Sequence, residues 1–169
     1  YLETFYADGN HEASVFPGMV YISHPTELGT LYSKSELAAL REVCTQYQLP
    51  LFMDGARLGY GVASAASDLS LAEIAELCDV FYIGGTKVGA LFGEAVVISN
   101  PAIAYDFRYM IKQHGGMLAK GRLLGIQFDA LMTDNLYFEI AGKAVRLADK
   151  IRATLDELGV SYLVPGITN

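Results

Sequence analysis

Apolar residues along this chain recur at two spacings. MVYIS (19–23), LFMD (51–54), VFYI within DVFYIG (79–84) and AVVI within GEAVVIS (93–99) are short runs rich in β-branched and aromatic residues, the pattern of strands. Between them the period changes. Ser33-Lys34-Ser35-Glu36 is a capping box, and Leu37, Leu40, Cys44 and Tyr47 follow at helical spacing. Ser70-Leu71-Ala72-Glu73 is a second capping box, opening a short helix to about Cys78. Strand–helix–strand–helix–strand in this order predicts a three-layer α/β/α architecture with a mostly parallel sheet. VFYI and AVVI lack polar alternation, which predicts strands covered on both faces.

After Pro101 the character changes. Residues 102–133 read as helical but interrupted by glycines, as in GGMLAKGRLLG. From Asn135, read as an N-cap, the residues Leu136, Ile140, Ala144, Leu147, Ile151, Leu155 and Leu158 form one apolar stripe that predicts core packing, and Gly159 ends it. A helix of about 24 residues spans roughly 36 Å, long for one compact domain and suited to a connector. The expected organisation is therefore a large domain over 1–134, a connecting helix over 135–159, and the start of a small domain over 160–169, with SYLV (161–164) as its first strand. Residues 1–17 show no clear period beyond a DGNHE turn (8–12).

Composition narrows the function. With 52% hydrophobic residues in 169 and a mean hydropathy of +0.28, one sizeable core can form. No run approaches the roughly 18 uncharged residues of a membrane span. Twelve basic residues against 19 acidic ones, net −7, with no basic cluster, argue against a nucleic-acid partner. Cys44 and Cys78 have no CxxC spacing, so neither disulfide nor metal is expected, and a reducing compartment such as the cytoplasm is.

In open parallel α/β sheets, ligands bind beyond the carboxyl ends of the strands. Three loops lie there: His24-Pro25-Thr26-Glu27, Asp54-Gly55-Ala56-Arg57 and Gly84-Gly85-Thr86-Lys87. Alone, Asp54 reads first as a helix-capping aspartate; the functional reading is a carboxylate held at a strand end to pair with a buried cation. Arg57 could be that cation, or could grip a substrate carboxylate bidentately. Lys87 is either an ordinary turn lysine or an amine made nucleophilic by its apolar flanks. Gly84 and Gly85 would then give clearance for a bulky ligand. A phosphate loop is excluded by spacing, because Thr86 precedes the lysine and Val88 follows it. A strand-end aspartate with a strand-end lysine 33 residues later suits pyridoxal phosphate, whose ring nitrogen needs an acidic partner.

VYISHPTELGTLYS (20–33), LPLFMDGARLGYG (49–61) and DVFYIGGTKVGALFGEAVV (79–97) resemble the threonine aldolase and β-eliminating lyase family of fold-type-I pyridoxal phosphate enzymes. The resemblance runs from about residue 16 to the end. It implies that Lys87 links covalently to the cofactor, Asp54 partners its ring nitrogen, and Thr86 lies near its phosphate. It implies that Arg57 holds the substrate carboxylate and that His24 contacts the substrate hydroxyl. Ser23 and Pro25 flank His24 where threonine and asparagine are commoner, and Gly84 stands where many members have serine. The family's phosphate loop and ring-stacking histidine have no counterpart in residues 1–16, so the chain reads as the middle half of a subunit. The implied activity is cleavage of a β-hydroxy-α-amino acid such as threonine or allo-threonine to glycine and an aldehyde, in a homo-oligomer (dimer or tetramer). β-Elimination, transamination or an inactive folded fragment are the alternatives. Glu27 is expected to orient a loop, with contact to the active site as the alternative; Lys112, Lys120 and Arg122 to be solvated charges, with approach to a neighbouring subunit's site as the alternative; His114 to lie in a glycine-rich segment near a subunit contact; His11 to be on the surface.

Overall fold

The computed structural model describes residues 1–9 and 14–164; His11 and most of the turn expected at 8–12 lie outside them. Strands β1 (Val20–Ser23), β2 (Leu51–Asp54), β3 (Val80–Gly84) and β4 (Glu94–Ile98) form one sheet in the order β1-β2-β3-β4. The first two pairings are parallel and the last is antiparallel, giving the mostly parallel sheet that the alternating pattern predicts. Helices α1 (Leu2–Ala7), α2 (Lys34–Gln46), α3 (Leu58–Ala63), α4 (Leu71–Leu77), α5 (Pro101–Ala104), α6 (Phe107–Gln113), α7 (Arg122–Met132) and α8 (Leu136–Glu157), with a 3-10 turn (Thr133–Asn135) before α8, complete the described elements. Both capping boxes form, with each serine side chain accepting from the amide of the glutamate three residues on. Helix α1 has no counterpart in the sequence reading; it buries none of its residues.

Strand periodicity places Ile22, Leu51, Met53, Phe81 and Ile83 on one face of the sheet. That face is the core: these side chains bury against Leu37 and Cys44 of α2, Leu58 of α3, Ile74 of α4 and Tyr137 of α8. Each fully buried aliphatic side chain there contributes about 1.5–3 kcal/mol. The opposite face carries Tyr21, Phe52, Tyr82 and Val96, and it is open, with Tyr21 56% exposed and Val96 also exposed. The expectation of strands covered on both faces is therefore corrected. Within the described residues the helices cover one face, and the apolar runs of β3 and β4 are aromatic and β-branched on the other without being enclosed.

Asp79 fixes the start of β3. Its Oδ2 accepts from the Leu51 amide (2.7 Å) and from Arg41 Nη1 (2.5 Å), and its Oδ1 from Asn100 Nδ2 (2.8 Å). One carboxylate thus ties α2, β2, β3 and the end of β4 together.

Helix α8 begins where expected but differs in how it packs. Asn135 is left-handed (φ 61°) and makes no side-chain cap, so the preceding 3-10 turn rather than an Asn cap delivers the chain into the helix. The buried face is Tyr137, Ala141, Gly142 and Val145, set against α3. The expected core stripe is corrected: Leu136, Leu147, Ile151 and Leu158 are exposed. Gly159, at φ 71°, closes the helix in the left-handed conformation that favours glycine. Residues 161–164 do not enter a strand, contrary to the expectation for SYLV.

Candidate active site

Asp54 ends β2, and the chain turns at once through Gly55-Ala56-Arg57 into α3. Gly55 is required there by close approach, because a Cβ would lie 1.8 Å from the Tyr82 carbonyl oxygen. Gly84 ends β3 in the same way: a Cβ would lie 2.3 Å from the Ala56 carbonyl oxygen. The Gly84 amide donates to the Gly55 carbonyl at 2.9 Å. The two strand-end loops are therefore docked backbone to backbone. This corrects the reading of the glycines as ligand clearance. The space beside Gly84 is filled by the Asp54–Arg57 loop, and that beside Gly85 by Phe128, whose Cζ would be 2.7 Å from a Cβ.

The lysine loop is braced at several points. Glu94 accepts from the Gly85 amide at 2.9 Å, the Tyr137 hydroxyl donates to the Gly84 carbonyl at 2.9 Å, and the Tyr60 hydroxyl donates to the Lys87 carbonyl. Val88 is fully buried beneath the loop, whereas Thr86 and Lys87 are exposed. The apolar flanks expected to enclose the lysine thus anchor its backbone and leave its side chain in the open.

Asp54 is half-buried and well supplied with donors. Its Oδ1 accepts from the Ala56 amide (3.0 Å) and its Oδ2 from the Tyr21 hydroxyl (2.5 Å). Burial alone pushes its carboxyl up, but the phenols of Tyr21 and Tyr82, the Ala56 amide and nearby Arg57 outweigh it and hold the group below its ordinary value. Arg57 pairs with Glu27, whose carboxylate oxygens lie 3.2 and 3.3 Å from its Nη1. Glu27 therefore orients the arginine, and among the alternatives for Arg57 no direct pair with Asp54 forms.

His24 is placed differently from the expectation. It is 0% exposed, its Nδ1 accepts from the Tyr32 amide at 3.3 Å, and its Nε2 has no partner among the described residues. Burial lowers its pKa to about 4, so the ring is neutral near pH 7. A Cβ on Gly61 of α3 would be 3.3 Å from that Nε2, which puts the ring under α3 and closed to solvent. His114 is bonded to its own helix through Met110 O (2.9 Å), and Lys112, Lys120 and Arg122 are exposed.

The sequence reading missed Tyr21, Tyr60, Tyr82, Glu94 and Tyr137. Tyrosines in strands and helices read as core aromatics, and their hydroxyl partners are distant in sequence. Cys44 and Cys78 are buried and unpaired, burial pushing the Cys78 thiol up to about 12. No group of His, Cys, Asp and Glu among the described residues could hold a metal, and no described helix is long and apolar enough to cross a membrane.

These residues fit pyridoxal phosphate. Lys87 presents an exposed amine, Thr86 an exposed hydroxyl, and Asp54 an ionised carboxylate whose oxygens keep lone pairs beyond those met by Ala56 and Tyr21.

Comparison with known proteins agrees. A low-specificity L-threonine aldolase of Pseudomonas aeruginosa is 35% identical over 152 residues, covering 88% of this chain and 43% of that protein. A glutamate-1-semialdehyde 2,1-aminomutase of Chlorobium chlorochromatii is 30% identical over 130 residues, covering 75% of this chain and 30% of that protein. A solved Leishmania major threonine aldolase superposes with TM-score 0.92 at 45% identity, over 99% of this chain and 49% of that one. The chain thus spans about half the length of its threonine aldolase relatives, and its sheet and helices are part of a fold-type-I domain. The family model described as "Beta-eliminating lyase", a family of pyridoxal phosphate-dependent enzymes, matches residues 2–165, and the chain belongs to that family.

Proposed function

We propose that this chain is part of a pyridoxal phosphate-dependent lyase that cleaves a β-hydroxy-α-amino acid, threonine or allo-threonine, into glycine and an aldehyde. The observation that carries this reading is the docking of Asp54-Gly55-Ala56-Arg57 against Gly84-Gly85-Thr86-Lys87 at the carboxyl ends of adjacent parallel strands. The likeness to proteins named threonine aldolase supports the choice of reaction.

When bound, the cofactor supplies an electron sink for the bond that breaks. This chain's residues do the rest. Lys87 would hold the cofactor covalently, Thr86 would lie near its phosphate, and Asp54 would keep the ring nitrogen protonated. Arg57, oriented by Glu27, takes the substrate carboxylate in its guanidinium fork. The substrate hydroxyl proton passes to a water, because His24 is closed off beneath α3. We read residues 1–134 as large-domain structure, 135–159 as the connector and 160–169 as the start of a small domain. The whole protein is a homo-oligomer, in keeping with the exposed apolar residues Leu123, Ile126, Leu147 and Ile151. Buried, unpaired Cys44 and Cys78 suit the cytoplasm.

The test is product analysis with the native protein, cofactor and threonine. Glycine and acetaldehyde in equal amounts are expected. A 2-oxo acid with ammonia would instead support β-elimination, the chemistry in the family's description.

A further inference from the structure

The open face of the sheet carries an aromatic row, Tyr21, Phe52 and Tyr82, from which the Tyr21 hydroxyl reaches one carboxylate. Tyr21 of β1 and Tyr82 of β3 flank Phe52 of β2. The Tyr21 and Phe52 rings stack at 5.2 Å and 8° between planes, and Phe52 meets Tyr82 edge-on at 5.8 Å and 62°. In the register of the sheet Tyr21 is opposite Phe52, and Ser23 is opposite Asp54. The Tyr21 side chain therefore runs along the sheet, toward its carboxyl edge, to reach Asp54 Oδ2 at 2.5 Å. Tyr82, edge-on to Phe52, is close enough to act on the same carboxylate electrostatically.

A capping aspartate needs none of this. The Ala56 amide alone satisfies the turn. Nor does the core need Tyr21, which is more than half exposed and adjoins the open face rather than the buried one. What the phenol does is donate a short, charge-assisted hydrogen bond to an ionised acceptor.

We propose that Tyr21 is a positioning residue, with Tyr82 in support: the Tyr21 phenol clamps the Asp54 carboxylate so that it faces the cofactor ring nitrogen and leaves the shared proton on the ring. This rests on the reading above that Asp54 partners that nitrogen. Each donor drawn onto a carboxylate makes it a weaker base, so the proton between Asp54 and the ring stays with the nitrogen, where it stabilises negative charge developing on the substrate. The charged and titratable groups facing the carboxylate are Tyr21 from β1, Tyr82 from β3 and Arg57 from its own loop, with Glu27 acting on Tyr21 from across the site. The clamp offsets the burial that would otherwise favour a neutral Asp54.

The experiment uses the native protein in two forms. In the cofactor-free form, carbon NMR follows the Asp54 carboxyl through a pH titration, its signal assigned by loss in Asp54→Asn. Tyr21→Phe, which keeps the stacked ring, is expected to raise the Asp54 midpoint, and Tyr82→Phe to raise it as well. In the loaded form, with cofactor labelled at the ring nitrogen, Tyr21→Phe is expected to move the nitrogen signal from the wild-type position toward that of Asp54→Asn. An Asp54 midpoint unchanged in both tyrosine variants overturns the clamp, whatever the cofactor does. A nitrogen signal moved by Asp54→Asn but not by Tyr21→Phe also overturns it. A nitrogen signal identical in wild type and Asp54→Asn overturns the assignment of Asp54 on which the proposal stands.

Discussion

Gly84→Ala separates two accounts of the glycines before Lys87. A Cβ at this position would lie 2.3 Å from the Ala56 carbonyl oxygen, 2.6 Å from its carbon and 2.7 Å from the Gly55 carbonyl oxygen, all backbone atoms of the Asp54 loop. Real Cβ atoms essentially never come closer than 3.0 Å, so one loop must retreat by about 0.7 Å. Overpacking of this kind costs about 1–3 kcal/mol. The retreat also strains the Gly84 amide bond to Gly55 and the Tyr137 bond to the Gly84 carbonyl, both 2.9 Å, each worth about 1 kcal/mol. The smaller unfolded-state entropy of alanine returns about 0.4–1 kcal/mol. The net expectation is roughly 2–4 kcal/mol of lost stability, measured by urea unfolding followed by circular dichroism without cofactor. Gly125→Ala is the control, since α7 offers open space there; it is expected to gain about 0.5–1 kcal/mol. If the glycines were clearance for a ligand, Gly84→Ala would leave the cofactor-free protein unchanged and weaken only cofactor binding. A loss below about 0.5 kcal/mol refutes the packing account.

Two further predictions concern stability. Asp79→Ala leaves the buried Leu51 amide without its acceptor and the Arg41 guanidinium without its carboxylate partner, in a site where the Asp79 side chain is 13% exposed. Breaking such a pair costs about 3–5 kcal/mol, read from the urea midpoint; a loss under about 1 kcal/mol would make the cluster a surface pair in effect. The second is a pH dependence. His24 has a folded-state pKa of about 4 against 6.5 for the free side chain. Between these values the unfolded chain binds more protons, so stability rises with pH through the window and is lost as pH falls through it. Between pH 7 and pH 5 the loss is about 2 kcal/mol, and His24→Asn should remove that part of the slope. An unchanged slope in the variant would show that the ring is not buried neutral.

What could be read ahead of the structure was local. Ser33 with Glu36 and Ser70 with Glu73 form their capping boxes because both partners lie within one turn. Beyond that, the strand order placed Asp54 and Lys87 at one sheet edge, because parallel strands bring their carboxyl ends together. What escaped depended on contacts distant in sequence. Helix α8 offers two candidate apolar faces, and α3, some 75 residues earlier, selects the Tyr137–Val145 face over the Leu147–Ile151 one. His24 follows a strand like the other candidates, but its ring turns under α3 rather than outward. Tyr21 looked like a strand aromatic because its partner Asp54 lies 33 residues away.

The most direct test of the central claim is covalent trapping on the native protein. Pyridoxal phosphate is bound, the link is reduced with borohydride, and the modified lysine is mapped by peptide mass spectrometry. The account predicts label on Lys87, lost in Lys87→Ala. Label on another lysine, with Lys87 unmodified, would contradict it.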